Sequence, residues 1–150
     1  MINYDFMQIA LDTAQTSQND LPVGAVMVKG GKIIAKACNQ KERTNQVSAH
    51  AEMLVIEETC KKLNNWRLED CELYVTLEPC PMCAWAIIQS RIKKLYFGSY
   101  DNLYGAFGSK IDVRSLINSK IHVYGGIMEE KCNMLLKQYF EKMRESDIKK

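Results

Sequence analysis

The chain has 150 residues, 47% of them hydrophobic and 25% charged, which suits a folded globular protein and excludes disorder as its main state. A formal net charge of +2 excludes the strongly basic surface of a protein that binds nucleic acid by charge alone. No apolar run approaches the roughly 20 residues of a membrane span, and the first ten residues carry Asp5 but no basic cluster ahead of a long apolar stretch, unlike a secretory leader. The expected location is cytoplasmic, away from membranes, and the expected organisation is a single domain over 1–150.

In chain order, Phe6, Ile9, Ala10 and Ala14 recur at helical spacing and predict a helix over 4–17. Pro22 and Gly24 mark a turn into the apolar run Ala25–Val28, and Gly30-Gly31 predicts the tight turn of a hairpin leading to Ile33-Ile34-Ala35. The polar stretch 39–49 predicts a loop, and residues 50–63 a helix with Ile56, Cys60 and Leu63 on one face. Leu73-Tyr74-Val75-Thr76 predicts a strand that stops before Pro79. Pro81 suits the first turn of a helix running to about Ser90. A strand over Lys94–Gly98, a loop over 101–109, a short helix near 112–118 and a strand over 121–124 follow. In the terminal helix Cys132, Leu135, Leu136, Tyr139, Phe140 and Met143 have the spacing of core or interface residues. Its basic residues, Lys137, Lys142, Arg144, Lys149 and Lys150, are interleaved with Glu141, Glu145 and Asp147 and read as a solvated face. Helices alternating with about five short strands predict an α/β layered architecture.

The six cysteines do not suit a disulfide framework in a cytosolic chain of this size. Cys38, Cys60, Cys71 and Cys132 fall in strand-edge or helical apolar patterns and read as small buried hydrophobes. Cys80 and Cys83 differ, because Pro79-Cys80-Pro81-Met82-Cys83 opens a helix, as does His50-Ala51-Glu52. Two thiols separated by two residues reach one ion from a single helical turn. The helix N-terminus there favours thiolate. His50 adds a neutral nitrogen, so a zinc ion with these three ligands keeps one position for water and lowers its pKa to about 7. Glu52, on the same turn but rotated from His50, is placed to shuttle protons rather than to ligate. This H-x-E and P-C-x-x-C pairing is the known signature of zinc base deaminases: water adds at the amine-bearing carbon and ammonia leaves. A closed structural zinc site would need a fourth ligand, and the other histidine, His122, lies on a predicted strand and reads as an edge or surface residue.

These residues, with Pro22-Val23-Gly24-Ala25-Val26, Asn39, Leu73 through Cys83, Ser90-Arg91-Ile92 and Gly105-Ala106-Phe107-Gly108-Ser109, resemble the cytidine deaminase-like superfamily, and within it the bacterial tRNA adenosine deaminases. The likeness covers roughly residues 4–143. It implies a three-layer α/β/α fold around a sheet of about five strands, one Zn2+ per subunit, and a homodimer that converts the wobble adenosine of a tRNA anticodon loop to inosine. It also implies that Asn39 contacts the base, that the backbone N–H of Ala51 lies near the reacting position, and that Asp101 sits beside the target nucleotide. Trp85 stands where the family usually has a small residue, Leu103 lies where a lysine is common, and Val47-Ser48 replaces a frequent Pro-Thr; Trp85 reads as filling core or dimer interface.

Two other functions remain open on sequence. One is deamination of a free nucleobase or nucleoside such as guanine, cytosine or a modified adenine, with Tyr104 and Phe107 available to stack on it. The other is a non-catalytic, zinc-stabilised RNA-binding module, against which Glu52 argues, because a structural metal has no use for an unligated carboxylate.

Overall fold

A computed structural model describes residues 2–148; Met1, Lys149 and Lys150, and with them the last two charges of the basic tail, lie outside the described residues. Helix α1 (Tyr4–Ala14) is capped by Asn3 and ends in a 3₁₀ turn over Gln15–Ser17, which together fill the predicted 4–17 segment. Strands β1 (Gly24–Lys29) and β2 (Lys32–Cys38) form the expected hairpin. Gly30 and Gly31 have φ of 58° and 76°, the left-handed pair that a type I′ turn requires at both central positions. The polar segment after β2 contains one helical turn, α2 (Lys41–Thr44), and then α3 (Ala51–Leu63) begins. Strand β3 (Cys71–Leu77), helix α4 (Pro81–Gln89) and strand β4 (Lys94–Ser99) follow. The helix expected near 112–118 is only a 3₁₀ turn at Val113–Ser115, before β5 (His122–Tyr124) and α5 (Glu129–Ile148).

The strands form one sheet in the order β2-β1-β3-β4-β5. Strand β1 is antiparallel to both neighbours, whereas β3, β4 and β5 run parallel. Alternation along the strands sends Ala25, Met27, Leu73, Val75, Leu95 and Phe97 to one face, where they pack with Val55, Ile56, Ala84 and Ile87 of α3 and α4. Val26, Val28, Tyr74 and Tyr96 point the other way, against Met7, Ala10 and Leu11 of α1 and Cys132 of α5. Period-two strands thus bury both faces beneath helices, producing the three-layer α/β/α arrangement. Tyr74, Tyr96 and Tyr124 occupy equivalent register positions on adjacent parallel strands, and their rings stack across the second face.

Cys38, Cys71 and Cys132 are buried and Cys60 half-buried. Phe140 and Met143 on α5 are 50% and 46% exposed, and Trp85 on α4 is 43% exposed, so of the two expected places, core or interface, the core does not hold these three. On α5, Cys132 and Leu135 meet the second face of the sheet. His122 is exposed on the edge strand β5, as expected. Among the described residues no helix is long and apolar enough to cross a membrane.

Candidate active site

Strands β2, β3 and β4 run in the same direction, so their carboxyl ends lie along one end of the sheet. Ligand sites of open α/β sheets collect at such ends. Asn39 follows β2 directly, Glu78 to Cys80 follow β3, and Asp101 follows β4 by two residues. Helices α3 and α4 also begin here, so two positive helix termini face the same point.

His50 is the N-cap residue of α3 and Cys80 that of α4, and neither side chain caps its own helix. Both remain free to point into the site. Pro81 tolerates the first helical position because its missing N–H would have been unpaired there. His50 Nδ1 lies 3.6 Å from Cys80 Sγ and 3.4 Å from Cys83 Sγ, and the donor atoms of the three residues lie within 4.8 Å of one another. Ligands at about 2.3 Å for sulfur and 2.0–2.1 Å for nitrogen around tetrahedral zinc have N···S separations of about 3.6 Å. The donor set therefore fits zinc in chemistry and in spacing. The spacing also selects Nδ1 of His50 as the facing nitrogen, a choice that sequence does not make.

The electrostatics agree. The hydrogen bond from Cys83 holds the Cys80 thiol down to about 4, against the cost of its burial, with His50 reinforcing it. The same contact and burial push Cys83 up. His50 is raised, first by its hydrogen bond with Cys80 and then by the nearby Glu52 carboxyl, against the opposing effect of burial. Glu52, 4% exposed on the first turn of α3, is pushed up to about 7, chiefly by burial. A carboxyl that exchanges its proton near neutrality is suited to acid–base work.

A cavity of about 570 Å³ opens over these groups, with Asn39, His50, Glu52, Cys80, Asp101 and Tyr104 in its lining. Its size is in the ordinary range for a small-molecule or nucleotide site. Asn39 is 8% exposed, and its Oδ1 accepts the Ala51 N–H at 2.8 Å. That bond occupies the Ala51 amide, which itself is fully buried. Asp101 Oδ1 accepts the N–H groups of Leu103 and Tyr104, both at 3.0 Å, so one of its oxygens is committed to shaping its own loop. Tyr104 is 65% exposed at the cavity mouth. Phe107 is buried in the core, under the Arg114 guanidinium, and does not line the cavity; it is not available to stack on a substrate. Trp85 and Leu103 do not line it either.

Asp20, Tyr139 and Glu78 are among the lining residues that were not anticipated. Asp20 caps α2 through the N–H groups of Glu42 and Arg43. Tyr139 reaches the cavity from α5 and donates its hydroxyl to the Asn19 carbonyl. Glu78 lies beneath the 101–109 loop and is 2% exposed. For Glu78 a signal existed: a carboxylate ending an apolar strand is almost never buried without a set of donors. For Tyr139 none did, since its spacing matched a core position.

The chain matches the family model of the cytidine and deoxycytidylate deaminase zinc-binding region over residues 2–99. It is 43% identical to the tRNA-specific adenosine deaminase of Bacillus subtilis over 93% of this chain and 89% of that protein. It is 41% identical to the tRNA-specific adenosine deaminase of Aquifex aeolicus over 95% of this chain and 97% of that protein. A solved structure from work on A-to-I editing by tRNA:A34 deaminases superposes with a TM-score of 0.82 at 38% identity, over 89% of this chain and all of that one. A zinc-binding deaminase domain, a donor cluster that fits zinc and this extent of likeness converge: the chain belongs to the tRNA-specific adenosine deaminases of the cytidine deaminase-like superfamily.

Proposed function

We propose that this chain, acting as a single domain over 1–150 and as a homodimer in the cytoplasm, hydrolyses the exocyclic amine of the wobble adenosine in a tRNA anticodon loop, leaving inosine and releasing ammonia. The observation that carries the reading is the pairing of the His50, Cys80 and Cys83 donor cluster with a buried, near-neutral Glu52 on the floor of one cavity.

His50, Cys80 and Cys83 would hold one zinc per chain; when bound, the metal supplies an activated water at neutral pH. Glu52 takes a proton from the attacking water and delivers protons to the ring nitrogen and the departing amine. With its Oδ1 held by Ala51, Asn39 offers its Nδ2 to the base. The Ala51 amide thus acts on the substrate through Asn39, by orienting it. The second carboxylate oxygen of Asp101 is left to lie beside the target nucleotide. Tyr104, exposed at the mouth, stacks on a splayed anticodon base, the usual mode for single-stranded RNA. The half-exposed Trp85 indole, neither core nor pocket, belongs to the contact between two copies.

The choice of a wobble adenosine over a free base is supported by relatives named tRNA-specific adenosine deaminases over nearly the whole chain and by the likeness to a structure from work on tRNA:A34 deaminases acting at the wobble position. Incubation with an anticodon stem-loop bearing a wobble adenosine, alongside free adenine, adenosine, guanine and cytosine, tests it. Inosine in the RNA alone supports the reading; ammonia from a free compound alone overturns it.

A further inference from the structure

The loop over 101–109 forms one wall of the cavity and carries Asp101 and Tyr104, yet it has no regular secondary structure except an isolated bridge at Phe107. One buried side chain gathers donors from both of its ends. Glu78 Oε1 accepts the Asp101 N–H at 3.1 Å and the Ser109 hydroxyl. Oε2 accepts the N–H groups of Phe107 and Ser109 at 3.0 and 3.1 Å. A carboxylate has about four acceptor sites, and here donors from both ends of the loop occupy them. Gly105 completes the fit: a Cβ there would strike the Glu78 carboxyl group and the Asp101 carbonyl. Pro79, one residue on, accepts the Ala106 N–H through its carbonyl at 2.9 Å. On the far side Arg114 donates to the Phe107 carbonyl at 3.2 Å and to Asp112.

We infer that Glu78 is a positioning residue for substrate recognition: its carboxylate ties the substrate-facing 101–109 loop to the strand end that leads into the zinc ligands. The inference rests on the proposed RNA deamination for its kinetic readout and goes beyond it in assigning this residue. With every acceptor site engaged, Glu78 has no lone pair left to move protons, which separates its work from that of Glu52. It fixes the distance between the wall that grips the nucleotide and the Cys80–Cys83 turn where the amine leaves. Glutamine is isosteric but turns an NH2 group toward two donors, so at least one backbone N–H of the loop loses its partner and the wall shifts.

The test compares Glu78→Gln with the parent chain, both zinc-loaded, on the stem-loop substrate, with zinc stoichiometry and site-resolved amide hydrogen exchange measured alongside. A misplaced binding wall raises KM by about tenfold or more while kcat falls less than about threefold. Exchange accelerates at Asp101, Phe107 and Ser109 and stays unchanged in β3 and α4, with zinc retained. An unchanged KM overturns the proposal, as does loss of zinc or acceleration spread through the sheet, since either marks a residue that only maintains the fold. If Glu78→Gln does not fold, Ser109→Ala removes one donor alone: a raised KM at constant zinc supports the proposal and an unchanged KM overturns it. A parent chain inactive on the RNA would defeat the functional reading instead, and the exchange pattern would still decide the role of Glu78.

Discussion

Asn39 and Ala51 are joined by a 2.8 Å hydrogen bond from the Ala51 N–H to Asn39 Oδ1, which ties the end of β2 to the start of α3. Because His50, the N-cap residue, turns its side chain to the thiols, this bond supplies the capping that its own side chain does not. One asparagine therefore serves helix and substrate with different atoms. Asn39→Ala should cost about 0.5–2 kcal/mol of stability, the usual worth of an N-terminal cap, and should raise KM. Asn39→Asp keeps the acceptor and loses the Nδ2 donor, so it should hold Tm while KM still rises about fivefold, the worth of a hydrogen bond. Denaturation and steady-state kinetics on both variants separate the two functions.

Glu52 is buried beside the donor cluster without belonging to it. Glu52→Ala should keep zinc and fold but reduce the rate by about 100-fold or more, within the range for loss of a general acid–base group. Metal analysis with an ammonia-release assay checks this; an unreduced rate would rule out Glu52 as the proton carrier.

Cys80, Cys83 and His50 come from two helix starts, so a bound ion should cross-link α3 to α4. Chelation should abolish activity and lower Tm, and zinc should restore both. With free zinc at about 100 times its dissociation constant the stabilisation is about 2.7 kcal/mol. His50→Ala should bind less than one zinc per chain, with its Tm nearly insensitive to added metal.

Asp112 is held below the usual aspartate range, first by its hydrogen bond from Arg114, and Arg114 also grips the Phe107 carbonyl. A carboxyl depressed in the folded state stabilises above its unfolded pKa and loses that contribution as pH falls through its folded value. Asp112→Asn should thus lower Tm at neutral pH, with the gap from the parent chain closing as the solution is made strongly acidic.

Local patterns foretold the features that depend on local chemistry. Gly30-Gly31 allowed the left-handed turn, alternation in the strands matched two buried faces, and the His50 and Cys80–Cys83 spacings brought three donors together. Relationships between distant segments were not written in either period. The four donors of Glu78 span both ends of an irregular loop, and the selection of His50 Nδ1 depends on how α3 meets α4. Phe107 looked like a stacking residue because only the fold reveals that Arg114 and the core enclose it. The helical spacing of Phe140 and Met143 marks a face, but spacing does not say whether the fold covers that face, and both side chains are about half exposed. Tyr139, on the same helix, instead reaches the cavity.

The central claim is that the cavity takes adenosine presented by folded RNA. The most direct measurement is the ratio of kcat/KM for a wobble-adenosine stem-loop to that for free adenosine, taken with the zinc-loaded protein over a series of salt concentrations. The expected ratio is far above one and falls steeply with salt, as counterions released from RNA phosphates compete with binding. A ratio near one, insensitive to salt, would contradict it.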